Sequence, residues 1–538
     1  MNYYIINNAS RAATYGIGTY VRQLTLALMN ISSLNLYFID LFAERKEFTV
    51  EKDESGLTHY IIPMNSSNIE DENYCRMAYY LIFPYITGNN SKIFHFNYFQ
   101  HYSLALLLKA QNIHNKIFFS THYLSWCFEL NGDVSAFRKI LNAKNVDDRS
   151  RKILNVVSQN KHFFHLADKI IVLSNFCKNL LHSDYNIPLK KIELVYNGLE
   201  DNSRTCYSTA KNKPTILYVG RLDKIKGVDY LIKAFRNVLK RHPDANLILI
   251  GDGDYNECLK YCKGIWDRVT FTGKISNEEL EEFYQQTTIG ALPSFHEQCS
   301  YSAIEFMMHG IPFVGTDSTG LSEMLDCAPN LRVQIPETGD LENEFTINLA
   351  NTICNLIENK TTRNIASELM KKQFQERYTL DEMKNRLSAL IVSSEQPNNA
   401  MPLAESFLLE IDDFMISLIH DETDIDTNLY GMEGIAVYLW WRLKQLSLKG
   451  AEGQSYKIKE YLIYYFDWFY KIINSLQNKV YGQEFVTTLH EIHQAGFYKT
   501  KVEALMSLIH YSSKPRKEYC IPTTDILQNS MRMFVTKI

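Results

Sequence analysis

The chain has 538 residues, an apolar share of 46%, a charged share of 22% and a formal charge of −5 at pH 7. At roughly 150 residues per domain this length predicts about three or four folding units, and the composition excludes a mostly disordered chain, a collagen and a membrane-spanning bundle. The mild negative charge excludes nucleic acid as the main ligand, since phosphate backbones need clustered Lys and Arg.

In chain order, Tyr3 to Ile6 reads as a first strand. No basic-then-apolar leader precedes it. A polar loop runs to Tyr15-Gly16-Ile17-Gly18-Thr19, and Tyr20 to Leu28 is amphipathic with helical spacing. Further strands are expected at Lys92 to Phe96, Lys116 to Ser120, Lys169 to Leu173 and Ile192 to Tyr196. Short β-rich runs alternating with helical patterns predict βαβ units and a parallel sheet over residues 1–200.

Glu200 to Lys213 reads as a linker into a second such array, residues 201–392. Its strands are expected at Thr215 to Val219, Asn246 to Ile250, Val269 to Thr272, Ile289 to Leu292 and Ile311 to Val314. Helices are expected at Asp229 to Leu239, Glu278 to Gln285 and Tyr301 to Met308, with helical pattern again from Thr361 to about Ile391. Two doubly wound α/β domains in tandem place a ligand cleft between the carboxyl ends of their strands. A polar linker, 393–402, then leads to residues 403–538, whose apolar period near 3.6 and aromatic clusters (Tyr438 to Trp441, Tyr461 to Tyr470) predict a helical accessory domain.

Chemistry concentrates in the second array. In Leu217-Tyr218-Val219-Gly220-Arg221-Leu222-Asp223-Lys224-Ile225-Lys226-Gly227 an apolar strand ends in a glycine and two cations follow before a helix. Arg221 as a bidentate fork and Lys226 as a point charge suit a diphosphate. An exposed charged loop is the plain alternative. After the strand ending at Leu292, Ser300 is placed to cap a helix, and the free N–H groups behind it form an anion site. Glu297, in the loop, can accept hydrogen bonds from sugar hydroxyls. Glu305, two turns into the helix, can hold a ribose diol. His309-Gly310 supplies the helix end.

These residues resemble the family 4 retaining glycosyltransferases of the two-domain GT-B fold. Glu297 and Glu305 match that family's E-x7-E motif, and Arg221 with Lys226 its diphosphate-binding pair. Gly16-Ile17-Gly18 matches its N-terminal glycine loop, Asn197-Gly198 its hinge element, and Ser120-Thr121-His122 its T-x-H element, whose His lies near the donor sugar. The resemblance covers about residues 1–390. It implies two Rossmann-like domains facing a cleft, with the acceptor on the first. A UDP- or GDP-linked sugar would lie on the second, touching Gly16, Gly18, Arg221, Lys226, Glu297, Cys299, Ser300, Tyr301 and Glu305. It further implies catalytic roles for Glu297, His122, Arg221 and Lys226, and no metal cofactor. The family often has glycine two or three residues after the first Glu, where Cys299 and Ser300 stand here; Cys299 reads as a packing residue rather than a nucleophile.

The block His296 to Tyr301 also resembles glycosyltransferases found beside bacterial peptide-modification systems, so a peptide joins glycan and lipid as candidate acceptors. A peripheral membrane or protein partner stays open. Asn428 to Leu439 resembles the helix start of lanthionine cyclase-like α-barrels, in a segment too short for the whole barrel. Rival functions are a GT-B sugar-nucleotide epimerase and a non-catalytic glycan- or peptide-binding subunit.

Other motifs carry plainer readings. Asp252 and Asp254 superficially form a DxD metal motif but read as a turn. Cys258 and Cys262 read as neighbouring thiols on a half-buried helix, and His95 and His101 as core or rim histidines. His490 and His493 lack zinc-protease spacing. Arg149, Arg151 and Lys152 read as a solvated helix face. Ten scattered cysteines without a CxxC pair and no run of the roughly 18 apolar residues that a membrane helix needs predict a reducing cytoplasm.

Overall fold

The computed structural model describes residues 1–9, 16–64, 71–87, 92–112, 114–143, 147–203, 213–336 and 340–395. By contacts the chain divides into Met1–Pro397 and Asn398–Ile538. The expected helical domain, its cyclase-like motif, His490 and His493 therefore lie outside the described residues.

The first unit contains two sheets. The strands of the first are β1 (Asn2–Asn8), β2 (Asn35–Ala43), β3 (Thr49–Lys52), β4 (Thr58–Pro63), β5 (Lys92–Phe96), β6 (Lys116–Thr121), β7 (Lys169–Val172) and β8 (Ile192–Leu194). Their order is β3-β4-β2-β1-β5-β6-β7-β8. All pairings are parallel except that of β3, which runs antiparallel along the edge. The second sheet holds β9 (Thr215–Val219), β10 (Asn246–Ile250), β11 (Val269–Gly273), β12 (Ile289–Leu292), β13 (Phe313–Thr316) and β14 (Arg332–Val333), in the order β11-β10-β9-β12-β13-β14. Helices cover the faces, so the central strands are buried on both sides and read as nearly unbroken apolar runs. β1 shows this, with Tyr3, Tyr4, Ile5 and Ile6 all buried. Tyr4 stacks on Phe94 of β5 and on Tyr37 of β2, with ring centroids 4.9 and 5.0 Å apart.

The strand positions follow the sequence pattern in most places. β2, β3, β4 and β14 were not expected. The expected strand at Ile311 to Val314 instead begins at Phe313, whose pairing with Gly290 opens the ladder. Pro312 has no N–H to donate and falls outside it. The expected helical stretch from Thr361 to Ile391 is two helices, Lys360–Gln373 and Leu380–Glu395, separated by a wide turn, Phe374–Tyr378. Thr379 there leaves the helix to bridge Leu199.

That bridge ties the end of the second domain to the first. Leu199 N–H donates to the Tyr378 carbonyl at 2.9 Å, and Leu380 N–H to the Leu199 carbonyl at 2.8 Å. The Leu380–Glu395 helix then packs against the Gly16–Met29 helix of the first domain. Gly198 sits beneath this crossing, and a Cβ there would lie 2.6 Å from the Thr379 carbonyl oxygen and 2.8 Å from Met383 Cβ. Gly198→Ala should therefore destabilise the protein by about 1–3 kcal/mol through overpacking, read as a lower calorimetric midpoint. Gly16→Ala, with nothing within 4 Å of the new atom, should leave the midpoint unchanged or raise it. Equal midpoints for wild type and Gly198→Ala would show that the crossing tolerates an added methyl group.

Candidate active site

Each sheet reverses its strand order once, between β1 and β5 and between β9 and β12. Crevices form at the carboxyl ends of strands at such reversals, and most of the candidate residues lie there. Gly16 and Gly18 follow β1, Arg221 and Lys226 follow β9, and Glu297 to Glu305 follow β12. Gly16 and Gly18 were expected in a loop but occupy the first turn of the Gly16–Met29 helix. First-turn N–H groups have no intrahelical acceptor, and the absence of side chains at these two positions leaves that backbone approachable.

The loop after β9 is shaped by its own polar groups. The Asp223 carboxylate accepts the Lys226 N–H, closing the short turn Lys224–Lys226. Gly227 ends the turn at φ 66°, in the left-handed region that glycine enters freely. A Cβ on Gly227 would stand 2.2 Å from the Pro293 carbonyl oxygen, so the two loops can lie together only with glycine there. The Phe295 N–H donates to the Ile225 carbonyl at 2.8 Å. This juxtaposition brings Lys226 Nζ to 2.6 Å from Glu297 Oε1, with both side chains mostly shielded from solvent. Arg221 pairs with Asp223 at 2.8 Å.

Ser300 caps the Tyr301–Met308 helix through its hydroxyl, which accepts the Ala303 N–H, and Gly310 follows the helix end at φ 62°. The Tyr301 hydroxyl is buried without a hydrogen-bond partner among the described residues. Glu305 accepts from the Tyr284 hydroxyl at 2.6 Å, and burial lifts its carboxyl to about 7. The Tyr284 hydrogen bond and, less, the charge of Arg22 moderate that rise. Cys299 is buried in the core, and burial pushes its thiol well up. The thiolate is thus disfavoured, in keeping with a packing role.

The first domain contributes His122, whose Nε2 lies 2.9 Å from Asn97 Oδ1 and whose ring meets Tyr20 edge-on at 4.4 Å. Asn97 Nδ2 donates to the Ile6 carbonyl, so Asn97 Oδ1 faces His122 and accepts its Nε2–H, leaving Nδ1 with a lone pair. Burial holds the His122 imidazole neutral, down to about 3. His95 is a satisfied core histidine between Tyr3 and Ser120, at 2.6 Å from each. His101 is fully buried. Asp252 accepts from the Gly253 N–H and Asp254 caps the helix Tyr255–Lys260, so both are engaged with backbone.

The loop after β12 is held by Asn197, expected as part of the hinge element, and by residues that sequence reasoning passed over. Asn197 donates to the Cys299 carbonyl at 2.7 Å and Ser174 to Gln298 at 3.2 Å, both from the first domain. Cys127 Sγ lies within hydrogen-bond distance of His296 Nε2, at 3.3 Å. Burial favours the neutral form of both, the imidazole falling to about 4. Glu323, on the helix Thr319–Met324, reaches the other way, to the Asn175 N–H and side chain, each at 2.7 Å, and to the Tyr196 hydroxyl. Thr319 contacts the backbone of Glu297. The run Asp317-Ser318-Thr319-Gly320, a turn-rich segment directly after a strand, was the available signal for the last two.

Comparison with known proteins bears on this geometry. Residues 213–359 match the family model described as glycosyl transferases group 1. An uncharacterised glycosyltransferase of Methanocaldococcus jannaschii is 31% identical over 173 residues, which is 29% of this chain and 44% of that protein. The mannosylfructose-phosphate synthase of Agrobacterium fabrum is 28% identical over 179 residues, 29% of this chain and 39% of the synthase. The chain thus spans less than half the length of these relatives. Among solved structures, sucrose-phosphate synthase from Thermosynechococcus elongatus aligns with a TM-score of 0.57 at 18% identity, covering 73% of this chain and 98% of that one. An Anabaena protein solved in complex with UDP and glucose aligns at 0.52 and 13% identity, covering 73% and 100%. Residues 213–359 are thus similar to the glycosyl transferases group 1, within a chain that has the two-domain GT-B fold of these neighbours.

Proposed function

We propose that this protein is a retaining glycosyltransferase that moves a hexose from a nucleoside-diphosphate sugar to a hydroxyl of a glycan, lipid or peptide, without a metal ion. The observation that carries this reading is the 2.6 Å pairing of Lys226 with Glu297 at the β9/β12 reversal. A cation for the diphosphate and a carboxylate for the sugar stand side by side there. The named activities of the group 1 relatives favour a sugar transfer, and the Anabaena neighbour bound to UDP and glucose favours a UDP-linked donor. The eight described cysteines are all free thiols, which suits a reducing cytoplasm.

Chemistry follows from the placement. As the bond between the sugar C1 and the phosphate oxygen breaks, negative charge grows on the departing diphosphate. Lys226, Arg221 and the open N–H groups of the Tyr301 helix can stabilise it. A bond from the acceptor oxygen to C1 forms on the same face, which retains configuration, and the acceptor's proton passes to the departing phosphate oxygen. Glu297 orients the hexose by accepting from its hydroxyls, and Glu305 accepts from the ribose diol.

The test is turnover of purified protein with UDP- and GDP-sugars, with product configuration read by NMR. Glu297→Ala should lower kcat by at least about 10²-fold with an unchanged circular dichroism spectrum; equal turnover would remove Glu297 from the site. Arg221→Ala should weaken nucleoside diphosphate binding roughly tenfold or more in calorimetry.

Glu305 makes the binding depend on pH. In the folded protein it keeps its proton up to about pH 7, whereas the unfolded chain loses it near 4.5. The native state then binds more protons across that window, so this group's contribution to stability falls as pH rises from 4.5 through 7. Ribose hydroxyls donate best to the ionised carboxylate, so binding should release a proton and tighten as pH rises through 7. Calorimetry in buffers of different ionisation enthalpy should show that release in wild type and not in Glu305→Gln. The same proton count in both proteins would place the diol elsewhere.

A further inference from the structure

Among the described residues, Phe42, Asn131, Asn186 and Thr319 are the non-glycine residues with positive φ, and Thr319, at 46°, is the β-branched one. Backbone there brings a branched Cβ against the neighbouring carbonyl, which glycine avoids. The strained residue lies where the loop after β13 grips the loop after β12. Ser318 donates its hydroxyl to the Ser294 carbonyl at 3.0 Å, and Thr316 donates to the same oxygen. Thr319 Oγ1 accepts the Glu297 N–H at 2.9 Å and donates to the Glu297 carbonyl at 2.9 Å. The Gly320 N–H donates to that carbonyl as well, at 2.9 Å. Gly320 has no room for a side chain, since a Cβ would stand 1.9 Å from the Gln298 carbonyl oxygen.

We propose that Thr319 is a positioning residue for Glu297: its hydroxyl clamps both backbone polar groups of Glu297, and the left-handed strain is retained because glycine, the relaxed occupant, has no hydroxyl to do so. Strain kept at such a place is a feature of functional sites. With both backbone groups fixed and Lys226 on the carboxylate, Glu297 is held at three points. The inference rests on the proposed transferase reading, in which Glu297 orients the hexose. It separates a positioning role from a structural one, because the two predict different rates. If Thr319 served the fold alone, relieving the strain with glycine would leave kcat unchanged. If it serves Glu297, glycine lowers kcat.

The experiment compares wild type with Thr319→Gly, Thr319→Val and Thr319→Ser. Thr319→Gly should melt at the wild-type temperature or above, yet lose at least about tenfold in kcat with nucleoside diphosphate affinity unchanged. Thr319→Ser, which keeps the hydroxyl, should stay within about threefold of the wild-type rate, and Thr319→Val should fall with Thr319→Gly. Hydrogen exchange at the Glu297 amide, which needs no turnover, should quicken in the glycine and valine variants and not in serine. Wild-type rate in Thr319→Gly, or an unchanged Glu297 exchange rate, overturns the proposal. A wild type that turns over no UDP- or GDP-sugar overturns the transferase reading instead, and the exchange measurement still decides whether Thr319 holds Glu297.

Discussion

Lys226 and Glu297 are 71 residues apart in sequence and 2.6 Å apart in space, and the site depends on that contact. The loops after β9 and β12 must touch for it to form, which requires glycine at 227 and the hydrogen bond from Phe295 to Ile225. The pair also solves an electrostatic problem. A shielded ammonium without a partner is costly, and so is a shielded carboxylate. Arg221 is handled similarly by Asp223. On the proposed function, a diphosphate arriving at Lys226 takes over its neutralisation and leaves Glu297 with lone pairs for hydroxyl donors. Because one ion pair is exchanged for another, the net gain is far smaller than the bare Coulomb attraction.

The first domain does more than face this site. Asn197, Ser174 and Cys127 reach the backbone or side chains of residues 296–299 with polar contacts, while Glu323 sends a carboxylate the opposite way to Asn175 and Tyr196. Rings meet there as well, with Trp126 and Phe176 set edge-on to His296. A second attachment lies where Leu380–Glu395 packs on Gly16–Met29.

Much of this architecture was legible because strands buried on both faces leave continuous apolar runs, as in Ile216-Leu217-Tyr218. Cations, carboxylates and a capping serine after such runs mark their carboxyl ends. β2 and β4 carried such runs, Leu36 to Ile39 and Tyr60 to Ile62, and were overlooked, whereas β3 and β14 lacked them. β3, at the sheet edge, carries exposed Val50, Glu51 and Lys52 with no apolar run, and β14 is two residues long. The break at Thr379 has a local signal, since its hydroxyl caps the next helix by accepting the Glu382 N–H, and Leu199 pairs with the backbone there. For Thr319 and Glu323 the turn-rich run Asp317 to Gly320 marks a loop but does not reveal what they hold. Their partners, Glu297 and Asn175, are 22 and 148 residues away, and only the folded sheets bring them near.

The ionisation states bear on where an acceptor's proton can go. His95 and His122 are held neutral down to about 3, and His296 down to about 4, each mainly by loss of water. An imidazole of so low basicity is a poor proton abstractor near neutral pH, since a useful base titrates close to the working pH. His122 is better suited to hydrogen bonding as a neutral ring. Glu297, the nearby carboxylate, is already engaged with Lys226, and Glu305 accepts from the Tyr284 hydroxyl. The strongest base that the proposed reaction itself creates is the departing phosphate oxygen, which gains charge as the bond to C1 lengthens. A site whose own imidazoles are kept neutral leaves that oxygen as the favoured proton acceptor. On the proposed function, the acceptor's proton then passes to that oxygen where leaving group and acceptor meet.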